Sequence, residues 1–240
     1  MSHEIATFAL WFIVFLFSTT AHEAAHAWIA QRGGDLTAYH GGHVSLDPLP
    51  HIKRSPFGMV VVPILSFFFF FQGAWLMGWA SVPYDSEWGK RHPRRQALMS
   101  LAGPLTNLLL AATGIVLIKL LLSAGVLDVP QRWLGFTHLV VAAADVPAGS
   151  LWHGVAMTLS VIVNLNVLLG LFNLLPIPPL DGAGIAEGTF PRRIGPLYER
   201  MREVPILQIA GLLVAWNVFP YLSRPALTVV LRLVYPGVYG

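Results

Sequence analysis

His22, Glu23 and His26 fall within five residues of one apolar stretch, FLFSTTAHEAAHAWIA, at positions 15–30. On a helix, residues four apart project from one face, about 6 Å apart along the axis. Two imidazoles at that spacing can share one metal ion. Glu23, one position on from His22, can hold a water at that ion without being a ligand, and Ala24 and Ala25 leave space beside it. The competing account is a pair of satisfied polar residues in a helix seam. Ionisable groups inside a membrane-length apolar run are costly, which favours a functional reading.

A zinc site that catalyses uses three protein ligands and keeps one position open for water. The third ligand must come from elsewhere in the chain, and Asp181 is the best candidate. It follows an apolar run at NLLPIPPLDG, 173–182, where Pro176, Pro178 and Pro179 hold the backbone extended and Gly182 permits a sharp turn. Standing alone, an Asp-Gly pair reads as a surface turn. His40, His43, His51 and Glu187 are the other candidates. The histidines stand among basic and turn residues and Glu187 in a solvated loop, so local roles suit them better. Asn173 and Asn107 place amides in otherwise apolar surroundings. Either could donate to a developing oxyanion, and either could instead bond across helices. Asn164 and Asn166 read as packing or backbone partners, and Lys119 as a side chain reaching for the membrane surface.

The elements that must position these groups are membrane-embedded. Of 240 residues, 55% are hydrophobic and 11% charged, against roughly 25% charged in a soluble domain. Several runs exceed the ~18 apolar residues of a spanning candidate. The chain is read as one all-α polytopic membrane domain, 1–240, with about five or six membrane-embedded segments. Core helices are expected near 5–31, 97–124 and 151–175, the second interrupted at Gly103-Pro104. C-terminal segments occupy 205–236: a span at 205–219 and a half-length tail at 225–234 carrying Arg232. Residues 38–52 read as a small β-hairpin or loop at the membrane face, extended around 43–46. The first apolar run is too long for a cleavable signal peptide. There are no cysteines, which excludes disulfides and thiolate chemistry. The net charge of +3 gives no reason to invoke nucleic acid.

Lys and Arg set the orientation. Arg32, Lys53 and Arg54 precede the segment 56–83; Lys90, Arg91, Arg94 and Arg95 follow it. A simple crossing there would split these seven bases between two sides, against the positive-inside rule. A re-entrant segment that dips in and returns keeps them together, and it is the preferred reading. Arg132 is then outside, and Arg192, Arg193, Arg200 and Arg202 are inside. Trp75, Trp79, Trp88, Trp133 and Trp152 are expected in an interfacial belt.

Three motifs, HEAAH at 22–26, AGPLTN at 102–107 and NLLPIPPLDG at 173–182, make the chain resemble the site-2 protease family of intramembrane zinc metalloproteases. They stand in the family's order and frame about two-thirds of the chain. GGHVSLDPLPHI, 41–52, also resembles the loop after the active helix in compact members, with His43 and HIK (51–53) where many carry an Arg and HID. The resemblance implies one zinc ion held by His22, His26 and Asp181, with Glu23 as catalytic acid/base and Asn173 near the oxyanion. It also implies a minimal form without PDZ or CBS domains. Glu23 would take a proton from a water activated at the metal as that water attacks a peptide carbonyl. The substrate would be a membrane protein or peptide that unwinds and adds as a strand at 43–46. The expected setting is a multi-pass protein of the cell membrane with its site towards the cytoplasm. Two rival functions share the same residues: a non-proteolytic zinc-binding scaffold and a metal transporter. The transporter is disfavoured because no second ligand cluster lines a pathway.

Overall fold

The computed structural model describes residues 2–131 and 135–237, so Arg132 and Trp133 lie outside the described residues. Among the described residues, four helices are long and apolar enough to cross a membrane: α1 (Ser2–Gly33), α6 (Pro93–Ser123), α7 (Leu151–Asn173) and α10 (Pro205–Val234). The chain is an all-α polytopic membrane protein. The central helix is α6, against which α1, α7 and a short helix α8 (Asp181–Thr189) all pack.

α1 ends where the sequence supplies a stop. Gly34 adopts φ +96°, and the N–H groups of Gly34 and Asp35 donate to the carbonyls of Gln31 and Ala30. These bonds satisfy the last carbonyls of the helix, as a Schellman ending does. The chain then folds into α2 (Thr37–His40) and α3 (Pro48–Arg54). Asp47 caps α3 by accepting from the Leu49 N–H, with Pro48 at the first helical position. Of the hairpin and the loop expected at 38–52, the loop forms, with two short helices in it. A local cap and a proline win over the brief alternation at 43–46.

Residues 56–83 double back. The chain descends through a π-helical turn (Phe57–Val61), α4 (Val62–Leu65) and a second π-helical turn (Ser66–Phe70). It turns at Gln72-Gly73 and returns extended. On the return, the Met77 N–H donates to the Ser66 hydroxyl and the Trp79 N–H to the Gly58 carbonyl. Near the tip, Phe67 and Leu76 pack on Trp11, Val14 and Phe15 of α1 and on Val161 and Leu165 of α7. The return limb finishes beside the end of α1. Asp35 accepts from the N–H of Thr37 at 2.9 Å and of Asp85 at 2.8 Å.

α5 (Ser86–Arg91) and α6 are tied to the same end, where the Gly33 carbonyl accepts from Trp88 Nε1 and Arg95. Trp88 is buried there and is an anchor rather than part of a belt. The helix α9 (Pro191–Glu203) also lies at this end, with Glu199 paired to Lys90 and Arg202 to Glu187. Glu187 sits on α8 as an ion-pair partner, not in a solvated loop.

At the opposite end, β1 (Leu127–Asp128) pairs antiparallel with β2 (Val141–Ala142), Leu127 facing Ala142. Leu127, Leu139 and Val140 pack there on Ile118 and on Val230 and Val234 of α10. α10 thus runs unbroken across the bundle, correcting the two C-terminal segments expected at 205–219 and 225–234. Pro220 and Pro225 lie inside it, as prolines do in membrane helices whose neighbours satisfy the freed carbonyls. The interruption expected at Gly103-Pro104 is likewise absent from α6.

Candidate active site

The three candidate ligands converge between α1, α6 and α8. His22 Nε2 lies 2.9 Å from His26 Nε2 and 3.0 Å from Asp181 Oδ2, and Asp181 Oδ1 lies 3.3 Å from His26 Nε2. Donor atoms bound tetrahedrally at ~2.0–2.2 Å from one zinc would be roughly 3.3–3.6 Å apart. The observed triangle is close to that. Among the described residues this is the one group of three such side chains gathered for a metal ion.

The other ring atoms decide whether the group suits a cation. His22 Nδ1 lies 2.6 Å from Asn107 Oδ1, and His26 Nδ1 lies 2.7 Å from the Met99 carbonyl. The Met99 carbonyl can only accept, so His26 carries its proton on Nδ1; with Asn107 oriented as found, so does His22. Both Nε2 atoms of the neutral rings then present lone pairs to each other at 2.9 Å, which is repulsive unless a cation lies between them. Asp181 Oδ2 is buried and receives no hydrogen bond. The residues present fit a divalent metal, and the His–carbonyl bonds are the usual outer support of such ligands.

Position follows from local packing. His26 is seven residues, about 10 Å, before the end of α1, so the site sits inside the bundle near the basic end. Gly103 of α6 faces the two rings with hydrogen alone; a side chain there would occupy the ligand space. Asp181 opens α8, and Gly182 lets the helix start against the backbone of Leu174 and Leu175. Gly182 is helical, so its role is close approach rather than the expected sharp turn, and residues 174–180 form successive turns rather than an extended run. Glu23 is buried, 5% exposed, within electrostatic range of His22, His26 and Asp181.

Other expected residues lie elsewhere. Asn173 donates to the Leu169 carbonyl of its own helix at 3.0 Å. His43 and His51 are buried against each other, ring centroids 5.3 Å apart, in the loop after α1. Asn164 bonds the Phe136 carbonyl at 2.7 Å. Asn107, expected as an oxyanion donor or a helix cross-link, meets His22 Nδ1 with its oxygen and donates to Asn166 with its nitrogen. Gly103 and Asn166 were read only as a helix interruption and a packing residue. The available signals were a glycine four residues before Asn107 and an asparagine in a buried span.

A helical membrane bundle carrying two histidines one turn apart and a converging aspartate offers the metal-binding framework that a membrane-embedded metallopeptidase requires. The chain belongs to that class: residues 10–216 match Peptidase family M50, the site-2 protease family. It is 33% identical over 180 residues to "Putative zinc metalloprotease YwhC" of Bacillus subtilis, covering 75% of this chain and 68% of that protein. It is 30% identical over 186 residues to "Putative zinc metalloprotease Rip2" of Mycolicibacterium smegmatis, covering 76% of this chain and 58% of that one. With Rip2 of Mycobacterium tuberculosis it shares 33% identity over 172 residues, covering 72% of this chain and 54% of that protein. No solved structure matches the chain.

Proposed function

We propose that this protein is an intramembrane zinc metalloprotease that hydrolyses peptide bonds of membrane-spanning or membrane-associated substrates. The observation that carries the reading is the convergence of His22, His26 and Asp181 beside a buried Glu23 inside a crossing helix. Zinc, when bound, supplies a Lewis acid that brings the pKa of a water towards neutrality and polarises the scissile carbonyl. His22 and His26 present their Nε2 lone pairs, and Asp181 completes the donor set while offsetting positive charge. Glu23 takes the proton of the attacking water and hands it to the leaving nitrogen. Asn173 stands at the end of α7 with its amide bonded to its own helix, and it serves the oxyanion if that bond is exchanged when substrate binds.

The positive-inside rule supports a cytoplasmic position for the basic end and for the site beside it. An extended substrate has a better edge in the return limb of the re-entrant segment than at 43–46. Alternate N–H groups there, those of Met77 and Trp79, are spent on the descending limb, which turns the intervening ones away. Leu76, Met77 and Gly78 of that limb line an apolar cleft with Leu168, Phe172 and Phe219. Leu168 and Phe219 also pack on Leu180, the residue before Asp181.

Glu23→Gln tests the reading. The substitution keeps size and hydrogen-bonding reach but removes the base, so zinc content stays near wild type. Cleavage of single-span reporter proteins falls by about 10²–10⁴-fold, the usual worth of general acid–base catalysis. Equal cleavage by Glu23→Gln defeats the mechanism and returns the weight to a zinc-binding scaffold.

A further inference from the structure

Behind His22 runs a chain of buried amides that ends on a backbone carbonyl. Asn107 Nδ2 donates to Asn166 Oδ1 at 2.8 Å. Asn166 Nδ2 donates one hydrogen to Ser18 Oγ and the other to the Ile162 carbonyl, each at 2.9 Å. Ser18, Asn107 and Asn166 are all 0% exposed and stand on α1, α6 and α7. Unbonded amides at that depth are expensive, so the direction of each bond is strongly constrained.

We propose that Asn166 is a positioning residue that fixes the tautomer of His22 through Asn107, an inference that rests on the metal-site reading. The Ile162 carbonyl has no hydrogen to give, so the nitrogen of Asn166 must face it. The oxygen of Asn166 then faces Asn107 and takes a hydrogen from its nitrogen. The oxygen of Asn107 is left towards His22, whose Nδ1 must therefore carry the proton. Nε2 is bare and aimed at His26 and Asp181. Reversing Asn107 alone would set two amide oxygens against each other, and reversing Asn166 as well would set its oxygen against the Ile162 carbonyl. A peptide carbonyl of α7 thus dictates the ligand form of a histidine on α1.

Two near-isosteric variants separate this role from plain helix cross-linking. In Asn166→Asp, one carboxyl oxygen still accepts from Asn107 and the protonated other can donate to the Ile162 carbonyl. In Asn166→Leu no acceptor remains, and Asn107 is free to reverse. Both variants lose hydrogen bonds and melt below wild type. By chelator competition, zinc affinity falls about 10–100-fold in Asn166→Leu, the usual cost of losing an outer partner of a ligand, and stays near wild type in Asn166→Asp. Equal losses in both, or no loss in Asn166→Leu, overturn the proposal. A second measurement needs no variant that must fold without the amide. In zinc-stripped wild type labelled with ¹⁵N-histidine, the His22 ring, assigned against His22→Ala, carries its proton on Nδ1; a proton on Nε2 overturns the proposal. Should wild type bind no more zinc than His22→Ala, the metal-site reading fails, while the nitrogen spectrum still decides the tautomer.

Discussion

Gly103 and His26 touch across the α1–α6 interface so closely that the space of a single methyl group on Gly103 is already taken by His26 Nε2. The same methyl would lie 2.5 Å from His22 Nε2. Gly103→Ala therefore pushes both ligand nitrogens out of place. Zinc content drops, and reporter cleavage falls by about 10²-fold or more, as displacements near 1 Å do. Gly154→Ala is the control. Nothing lies within 4 Å of the added carbon in α7, so zinc is retained and stability gains up to about 1 kcal/mol from the lost glycine freedom.

Metal should also hold the bundle together. His22 and His26 belong to α1 and Asp181 to α8, so one ion at the triad links the two helices in the folded state only. At free zinc about 1,000-fold above its Kd, such linkage contributes about 4.1 kcal/mol. The thermal midpoint of wild type in detergent rises with zinc and falls back with a chelator. Asp181→Ala shows no such rise. An equal rise in that variant would remove Asp181 from the ligand set.

The core of this site was legible because helical spacing is strict. His22 and His26 share a face whatever surrounds them, and Asp181 was found where prolines end a span. The outer support was harder to read. Whether Asn107 aims at a histidine, and Asn166 at Asn107, depends on the rotation of α6 and α7 about their axes, which apolar-all-round helices do not reveal. Gly103 lay within a quoted motif, yet its meaning required knowing which helix approaches it. In the fold, β1 and β2 are two residues each, too short for any alternation to show. α10 carries two prolines that would end a soluble helix. The basic stretch 192–202 forms the short helix α9, whereas charge alone reported only its side of the membrane.

Asp35, 3% exposed, bonds Thr37 just after α1 and ties that corner to Asp85, where the re-entrant segment has returned. Burial alone would raise its carboxyl. The hydrogen bonds from Thr37 and from the Asp85 N–H outweigh burial and hold it below the usual carboxylate range. A group whose folded pKa is depressed contributes stability that is present above its unfolded pKa, about 3.9. That stability is lost as pH falls through the folded value. Acid titration of wild type thus gives a stability loss below about pH 4 that Asp35→Asn lacks. The variant is itself weaker at neutral pH by about 1 kcal/mol, since one partly buried N–H loses its partner. Parallel acid profiles for the two proteins would show that Asp35 does not carry this linkage.

The path of 56–83 can be tested where the basic residues make their demand. Arg32, Lys53 and Arg54 stand on one flank of the segment and Lys90, Arg91, Arg94 and Arg95 on the other. The Trp79–Gly58 backbone bond and the Asp35 clamp bring those flanks together. The chain has no cysteine of its own, so Ser55→Cys and Ser86→Cys each report a single position. In intact cells a membrane-impermeant maleimide leaves both unlabelled, and permeabilising the cell membrane exposes both. A further cysteine at Ala124, where α6 ends near the two-stranded sheet, labels from outside in intact cells. Labelling of Ser55→Cys and Ser86→Cys from opposite sides would mean that 56–83 crosses. Every later helix would then reverse its direction, and the bases of α9 would stand outside with them. Four crossing helices and one hairpin leave all eleven bases flanking this segment and α9 on a single side, which is why the positive-inside rule and the backbone geometry give the same answer here.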